Sequence, residues 1–163
     1  MIKKYSTLIC IGIFSVFLFA CTSTNLIMPK NQLWQNLSSE PVRLQDHNNE
    51  LIVTTLVQTA FPGRSSHLSY NMIKILSKIT WILQQNPDLK VKINAYTDQQ
   101  HSPRSNQLVS LRRSMVIADY FRKHGISSDR ISTAGLGSAN PIADNRTAEG
   151  RKQNRRIDII LYG

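Results

Sequence analysis

Cysteine is almost absent from this chain. The 163 residues include only Cys10 and Cys21, and Cys10 lies inside an N-terminal apolar segment typical of an export signal. Once that segment is removed, one cysteine remains, so no disulfide is expected within the mature protein. The mature protein must therefore be stabilised by a packed core.

The residue patterns of common enzymes are also missing. The chain has no GxSxG nucleophile motif, no cysteine after Cys21, and no second carboxylate near Asp98 in sequence. These absences predict a protein that is not an enzyme and that uses no cofactor and no metal. The four histidines are scattered without metal-ligand spacing: His47, His67, His101 and His124.

Acidic residues are scarce. Ten Asp and Glu stand against 20 Lys and Arg, and Lys3 and Lys4 of the N-terminal segment contribute two of the net +10 charges. A balance of this sign is compatible with nucleic-acid binding. However, the chain contains no RNP-like or zinc-knuckle motif, and an export signal would take it out of the cytoplasm. Attraction to anionic cell-wall or lipid surfaces is the preferred interpretation, and no nucleic-acid partner is expected.

Residues 1–20 form the predicted signal peptide. Their apolar run, residues 8–19, is shorter than the ~20 residues that span a bilayer, so a permanent membrane anchor is the less favoured alternative. The sequence LFAC at residues 18–21 resembles the lipobox of bacterial lipoproteins. That resemblance implies cleavage before Cys21, acylation of Cys21 with palmitate or similar chains, and, because Thr22 follows, sorting to the outer membrane on its periplasmic side.

The rest of the chain divides into two predicted regions. Residues 21–49 are polar and aperiodic and are interrupted by Pro29 and Pro41, which predicts a lipidated N-terminus and a tether. Trp34 in this region is a mild indication of a docking segment. Residues 50–163 have periodic apolar positions to their end and are predicted to form one folded domain.

Strand and helix patterns alternate within that domain. Helix patterns follow Ser69, a candidate N-cap, and Ser105. The second pattern ends at Gly125, and its predicted buried side consists of Leu108, Leu111, Met115, Ala118 and Phe121. Strand patterns cover residues 51–57, 90–95, 130–134 and 156–161. The expected fold is an α/β two-layer sandwich, with a mixed sheet of about four strands and two long helices on one face.

The stretch from residue 95 to residue 113 concentrates the charged chemistry. Asp98 ends a strand pattern, Arg113 lies in the first turns of a helix pattern, and turn formers and Asn106 lie between them. One carboxylate and one guanidinium around a turn could hold a ligand that carries both an ammonium and a carboxylate. They could equally pair with each other at the surface, which contributes little to stability.

A series of short motifs, in order and at consistent spacing, resembles the OmpA-like peptidoglycan-binding domain. That domain occurs in outer-membrane OmpA, the peptidoglycan-associated lipoprotein and flagellar stator proteins. The resemblance covers roughly residues 51–162 and implies the OmpA C-terminal fold and peptidoglycan as the partner. The motifs are YTD at 96–98, Asn106, Ser110, RR at 112–113, GI at 125–126, RI at 130–131, GLG at 135–137, NPIA at 140–143, Asn145, GR at 150–151 and NRRI at 154–157.

The resemblance also implies roles for individual residues. In the family, an aspartate matching Asp98 receives the ammonium of meso-diaminopimelate in the stem peptide, and an arginine matching Arg113 receives its carboxylate. Thr97 and Asn106 match positions that shape the binding loop, and Arg155 is a further candidate for lining the pocket. The resemblance thus implies a protein that anchors the outer membrane, or an envelope complex, to the cell wall.

The sequence departs from the family at the rim of this loop. Many members have glycine three residues after the aspartate, whereas this chain has His101, followed shortly by Pro103, which predicts a stiffer rim. Of the two adjacent arginines, Arg155 is the candidate for the pocket and Arg156 the candidate for pairing with a carboxylate such as Asp158. The size and type also resemble the OmpA-like lipoprotein of Dot/Icm type IVB secretion systems, which makes a structural part of such an apparatus the alternative function, with secretion-system or other envelope proteins as partners.

Overall fold

The computed structural model describes residues 30–62 and 67–163. The predicted signal peptide, Cys21 and Thr22 lie outside these residues. In chain order the elements are α1 (Lys30–Leu37), β1 (Arg43–His47), β2 (Glu50–Leu56), α2 (Val57–Ala60), α3 (Tyr70–Gln85), β3 (Lys90–Tyr96), α4 (Pro103–Lys123), a 3₁₀ turn (Ser128–Arg130), β4 (Ile131–Gly137), α5 (Ala148–Asn154) and β5 (Arg156–Tyr162).

The strands form one mixed sheet in the order β1-β2-β5-β3-β4. β3 and β4 are parallel, as expected for strands joined by a helical crossover, and the other neighbouring pairs are antiparallel. The predicted two-layer fold with a mixed sheet and two long helices is confirmed. The sheet has five strands rather than four, because β1 adds an edge strand.

The core lies between the sheet and its helices. Along β2, β5 and β3 alternate residues are buried in register, so that Val53, Ile159 and Ile93 lie side by side across the sheet. Helix α3 places Met72, Ile75, Ile79 and other apolar residues on one buried face. The predicted cap is confirmed, since Ser69 Oγ accepts a hydrogen bond from the Met72 amide at 3.0 Å.

Helix α4 buries Ala118 and Phe121 as predicted, but the rest of its buried face differs from the prediction. Leu108 and Met115 are about half exposed. The buried positions include Ser110 and Ser114, whose hydroxyls donate back to main-chain carbonyls of the helix. The physical reason is Gly135 in β4, where an added Cβ would lie 2.3 Å from the Leu111 amide nitrogen of α4. The helix backbone approaches the strand so closely that small residues fill the contact.

The described part of the predicted tether is folded. Leu37 of α1 is fully buried against the core, and Lys78 Nζ of α3 donates to both Asn36 O and Glu40 Oε1 at 2.7 Å. Residues 30–49 therefore belong to the globular unit, in contrast to the expected division at residue 49. The aperiodic sequence hid this segment because one buried leucine and a few polar links hold it.

Strand β1 was missed for a similar reason. It lies at the edge of the sheet, and in the sequence RLQDH only Leu44, opposite Val53, is partly buried against the core. A two-residue turn joins it to β2, with Asn48 and Asn49 both at positive φ (46° and 67°). Asparagine tolerates that conformation, and a hairpin turn of this kind requires it at both central positions. The pair of asparagines was the available signal.

Candidate functional site

A cleft of about 510 Å³ opens where β3 ends, beside the first half of α4 and the start of β5. The polar walls come from the ends of elements, while Val57 of α2 and Val109 of α4 supply apolar surface. All five residues predicted to bind ligand line it. The lining residues are Val57, Gln58, Thr97, Asp98, Gln100, His101, Asn106, Val109, Arg113 and Arg155.

Asp98 is the acidic group of the cleft. It stands two residues beyond β3, and its side chain is 6% exposed. Oδ1 accepts a hydrogen bond from the Gln100 amide at 3.2 Å, and Oδ2 accepts one from Arg155 Nη1 at 2.5 Å. A carboxylate held in this way is a strong, preorganised acceptor for a cationic group.

Arg155 occupies that acceptor, and its own main chain is fixed. Its carbonyl accepts from the Val57 amide at 2.9 Å, which ties the start of β5 to α2. The preceding residue, Asn154, is buried, and its amide group bonds the main chain of Ile142 and Ala143. The loop before α5 is therefore clamped directly beside Arg155. Its guanidinium remains about one-third exposed, so it faces both Asp98 and solvent.

Arg113 is the second cation, and it is not paired with Asp98. In the described part of the chain its guanidinium has no hydrogen bond and no ion pair. Burial, reinforced by the positive charge of Arg155, lowers the pKa of Arg113, while Asp98 acts in the opposite direction. Arginine stays protonated at neutral pH regardless. The cleft thus holds a half-buried positive charge whose donors are unused, which is the arrangement an anionic ligand requires.

Its neighbour Arg112 is exposed and does not line the cleft, in agreement with the rotation of about 100° between successive helix residues. The close contact between Gly135 of β4 and Leu111 of α4 fixes which side of the helix faces the sheet. The family resemblance selected Arg113 over Arg112, and the structure places Arg113 at the cleft.

Thr97 and Asn106 hold the loop that carries Asp98. The Thr97 amide donates to Gly137 O at 2.7 Å and its hydroxyl to Asp98 O at 2.9 Å. Asn106, 2% exposed, donates from Nδ2 to Asp98 O at 3.1 Å and to His101 O at 3.0 Å. The two ends of the loop are thereby tied together.

The two unusual rim residues are accommodated without distortion. Pro103 stands at the first position of α4, where its missing amide hydrogen costs nothing and its fixed φ suits the helix. Ser102 caps that helix and accepts from the Ser105 amide, so this amide is not free for a ligand carboxylate. His101 is exposed and lines the cleft.

Arg156 lies on the other side of the sheet from the core. Its guanidinium stacks 3.6 Å from the ring centroid of Tyr96, and Nε donates to Asp158 Oδ2 at 3.3 Å. Alternation along β5 explains the separation, since adjacent strand residues point to opposite faces. Of the two adjacent arginines, Arg155 lines the cleft and Arg156 does not.

Sequence reasoning missed the apolar wall and the loop clamp. Val57, Gln58 and Val109 come from elements whose side chains face the cleft only after folding. Asn154 carried a signal, because it stood in the quoted NRRI motif, although its role as a clamp required the contact with residues 142 and 143.

The fold and the cleft define a class: a two-layer α/β domain with a cleft at one end of the sheet that is lined by one carboxylate and two guanidinium groups. Comparison with known proteins gives the family. The OmpA family model matches residues 60–155, and the chain belongs to that family.

Several relatives are similar over most of this domain. The outer-membrane lipoprotein YfiB of Pseudomonas aeruginosa is 32% identical over 125 residues, covering 77% of this chain and 73% of YfiB. The probable lipoprotein YiaD of Escherichia coli is 34% identical, covering 69% of this chain and 52% of YiaD. The peptidoglycan-binding protein ArfA of Mycobacterium tuberculosis is 44% identical over 88 residues, which are 54% of this chain and 27% of ArfA. The match thus spans about a quarter of ArfA and half of YiaD.

Solved structures share the fold. A putative MotB-like protein from Desulfovibrio vulgaris superposes with a TM-score of 0.71 at 20% identity, covering 82% of this chain and 86% of that one. The cell wall anchor of the T6SS from Pseudomonas aeruginosa superposes with a TM-score of 0.70 at 23% identity, covering 82% of this chain and 95% of that one. In the described residues, no helix is both long and apolar enough to cross a membrane.

Proposed function

We propose that this protein is a lipid-anchored, non-catalytic component of the outer membrane that grips the cell wall by binding the diaminopimelate of the peptidoglycan stem peptide. One observation carries the proposal: the buried carboxylate of Asp98 and the guanidinium of Arg113, which has no ion pair in the described part of the chain, line the same cleft. The free end of diaminopimelate bears an ammonium and a carboxylate on one carbon, so it presents one charge to each.

Binding on this proposal exchanges one cation for another at Asp98. The ligand ammonium takes the place of the Arg155 guanidinium on the Asp98 carboxylate, and the ligand carboxylate becomes a counter-ion that the two arginines share. Since Arg155 is partly exposed and Arg113 has no hydrogen bond or ion pair to any described residue, both can turn to that carboxylate. Each charged hydrogen bond gained is worth about 1.5–3 kcal/mol. Thr97 and Asn106 keep the loop in the binding geometry without needing to touch the ligand.

The anchor rests on the lipobox-like sequence ending at Cys21. Membership in a family with relatives named as lipoproteins, YfiB and YiaD, supports it, and the relative named peptidoglycan-binding protein, ArfA, supports the wall as partner. Acyl chains on Cys21 would fix one end of the chain in the outer membrane, and the cleft would hold the wall, on the periplasmic side.

The test compares two stem peptides in calorimetry with the purified mature protein. One peptide contains meso-diaminopimelate, and the other contains lysine, which keeps the ammonium but lacks the distal carboxylate. We expect the first to bind at least about tenfold more tightly, because one charged hydrogen bond of 1.5 kcal/mol already corresponds to that factor. Asp98→Asn should abolish the binding, and Asp144→Asn, at an exposed acid outside the cleft, should leave it unchanged.

Equal affinity for both peptides would refute the proposed ligand. Incubation with intact sacculi separates binding from catalysis: the protein should sediment with the wall and release no soluble fragments. Binding that disappears between 50 and 200 mM salt, as expected for binding to a polyanion, would instead indicate a general attraction between the basic protein and the anionic wall.

A second candidate is a structural part of an envelope machine, a type IVB secretion apparatus of the Dot/Icm kind, in which wall binding is secondary to protein contacts. The sodium-type flagellar protein MotY of Vibrio parahaemolyticus, 37% identical over 89 residues, supports the use of this domain within such machines. Cross-linking in cells followed by purification from detergent-solubilised envelopes decides between them. Stoichiometric recovery of secretion components would favour the machine, and recovery of wall fragments alone would favour the free anchor.

A further inference from the structure

Both tryptophans of the chain are exposed on the helical side of the domain. Trp34 of α1 is 41% exposed and Trp81 of α3 is 47% exposed. Tryptophan has a large apolar ring and one polar group, so it favours sites where one side is apolar and the other wet. Neither residue lines the cleft. Two exposed tryptophans outside both the core and the cleft indicate a surface that contacts another molecule or a membrane.

The exposed side of α3 continues this apolar surface. Tyr70 is 76% exposed and Ile73 is 41% exposed. By helical geometry Tyr70, Ser77 and Trp81 lie within about 20° of one line along the helix, and Ile73 lies about 60° to one side. This line faces away from the core, because Met72, Ile75 and Ile79 fill the opposite face.

Helix α1 lies alongside and adds Trp34. Leu37, three positions after Trp34, is fully buried, so the tryptophan flanks the side of α1 that contacts the domain. Asn36 and Trp81, together with Ser77 and Lys78, line a shallow hollow of about 350 Å³ between the helices. We call Trp34, Tyr70, Ile73 and Trp81 the aromatic patch.

The charges around the aromatic patch are positive. Lys74 Nζ lies 5.8 Å from the ring centroid of Tyr70, and Lys78 borders the hollow. Their shared carboxylate, Glu40, is 4% exposed, so it offers little negative charge to solvent. Tryptophan and tyrosine together with lysine are the residues enriched at the surface of a bilayer, where rings sit at headgroup level and ammonium groups reach anionic lipids.

The length of chain before α1 also favours a bilayer as the partner of the aromatic patch. If the lipid is on Cys21, only residues 22–29 separate it from α1, which begins at Lys30. These residues can span at most ~30 Å when fully extended. The first folded element reached is the helix that carries Trp34, so the aromatic patch is kept close to the bilayer at high effective concentration.

We propose that the aromatic patch rests on the bilayer surface that holds the lipid of Cys21, while the cleft stays open toward the wall. The inference rests on the lipid anchor in the proposed function. Weak interfacial contact is sufficient, because the anchor supplies the proximity. The domain then has one fixed orientation on the membrane instead of rotating freely about its lipid attachment.

The test uses the two tryptophans as reporters. Full-length lipidated protein is reconstituted into vesicles of phosphatidylethanolamine and phosphatidylglycerol with brominated acyl chains, which quench tryptophan on contact. Both single-tryptophan forms, Trp34→Phe and Trp81→Phe, should lose emission relative to unbrominated vesicles. The control adds Ile142→Trp to the double Trp→Phe background, because exposed Ile142 lies beside Thr54 on the opposite side of the sheet and should not be quenched.

Quenching at Trp34 and Trp81 no greater than that of the control would overturn the inference. A dimer at sedimentation equilibrium whose interface buries the aromatic patch would also overturn it. The Ile73→Glu variant, at an exposed position, should lower the quenching and leave stem-peptide binding intact. Mass spectrometry of the N-terminus and calorimetry on the same sample test the anchor and the cleft separately. An unlipidated Cys21 would therefore refute the proposed lipid anchor. A lipidated protein that binds the stem peptide but shows no quenching would refute only the proposed orientation on the membrane.

Discussion

Replacing Arg113 by methionine should separate ligand binding from stability. The Arg113 guanidinium is half-buried, has no hydrogen bond or ion pair within residues 30–62 and 67–163, and lies near the like charge of Arg155. Its lowered pKa means that the folded protein disfavours the charged form relative to the unfolded chain. Removing the charge should therefore stabilise the fold. Methionine keeps the unbranched stem that packs along α4 and introduces no buried polar group.

The expected magnitudes follow from the contacts. Loss of one or two charged hydrogen bonds to the ligand carboxylate, about 1.5–3 kcal/mol each, should weaken stem-peptide binding by at least about tenfold. Relief of the uncompensated charge should raise the free energy of unfolding by about 0.5–2 kcal/mol, as single stabilising substitutions commonly do. For a domain of this size that corresponds to a rise in Tm of a few degrees.

Calorimetry measures both quantities, Kd by titration with the stem peptide and Tm by scanning. Arg112→Met is the matched control, since it removes the same charge from the neighbouring, exposed position of α4. It should change neither quantity appreciably. Unaltered binding in Arg113→Met would remove this arginine from the site. A fall in Tm of several degrees would show that its charge is stabilising, and the electrostatic reasoning would then be wrong.

Two further predictions concern the scaffold. Gly135→Ala should destabilise the protein by about 1–3 kcal/mol or more, measured by urea unfolding, because its Cβ would lie 2.3 Å from the Leu111 amide nitrogen; unchanged stability would mean that α4 can move away from β4 at no cost. The pKa of Glu40 is lowered from its usual 4.5, chiefly by the hydrogen bond from Lys78. Its stabilisation is therefore present above pH 4.5 and lost as pH falls through the folded-state value, so the Tm difference between wild type and Glu40→Gln should narrow below pH 4.5 and should not widen.

Local pattern was enough where a helix or strand buries a regular face. Alternation in β3 and the three-and-four spacing in α3 predicted these elements and their buried sides. The apolar pattern of α4 was right for Ala118 and Phe121 but wrong for Leu108 and Met115, and Ser110 and Ser114 are buried instead. A hydrophobic pattern does not show that a glycine in a strand allows the helix backbone to pack directly against that strand. In such a close contact, small residues fit better than leucine.

The first described residues show a second limit. Residues 30–49 have too few apolar residues to suggest a folded segment, yet Leu37, the Lys78–Glu40 pair and a hairpin turn attach them to the domain. Each link joins residues far apart in the chain, and only the folded sheet brings them together.

The sequence by itself determined the fold class, the order of the long elements and the identity of the charged residues at the cleft, because periodic burial and ordered motifs are local properties. Tertiary structure decided the pairing. It placed Arg155, not Arg113, on the Asp98 carboxylate, sent Arg156 to the opposite sheet face, and left Arg113 without a partner among the described residues. These distinctions depend on where strand and helix ends meet in space, since Asp98 and Arg155 are 57 positions apart in the chain.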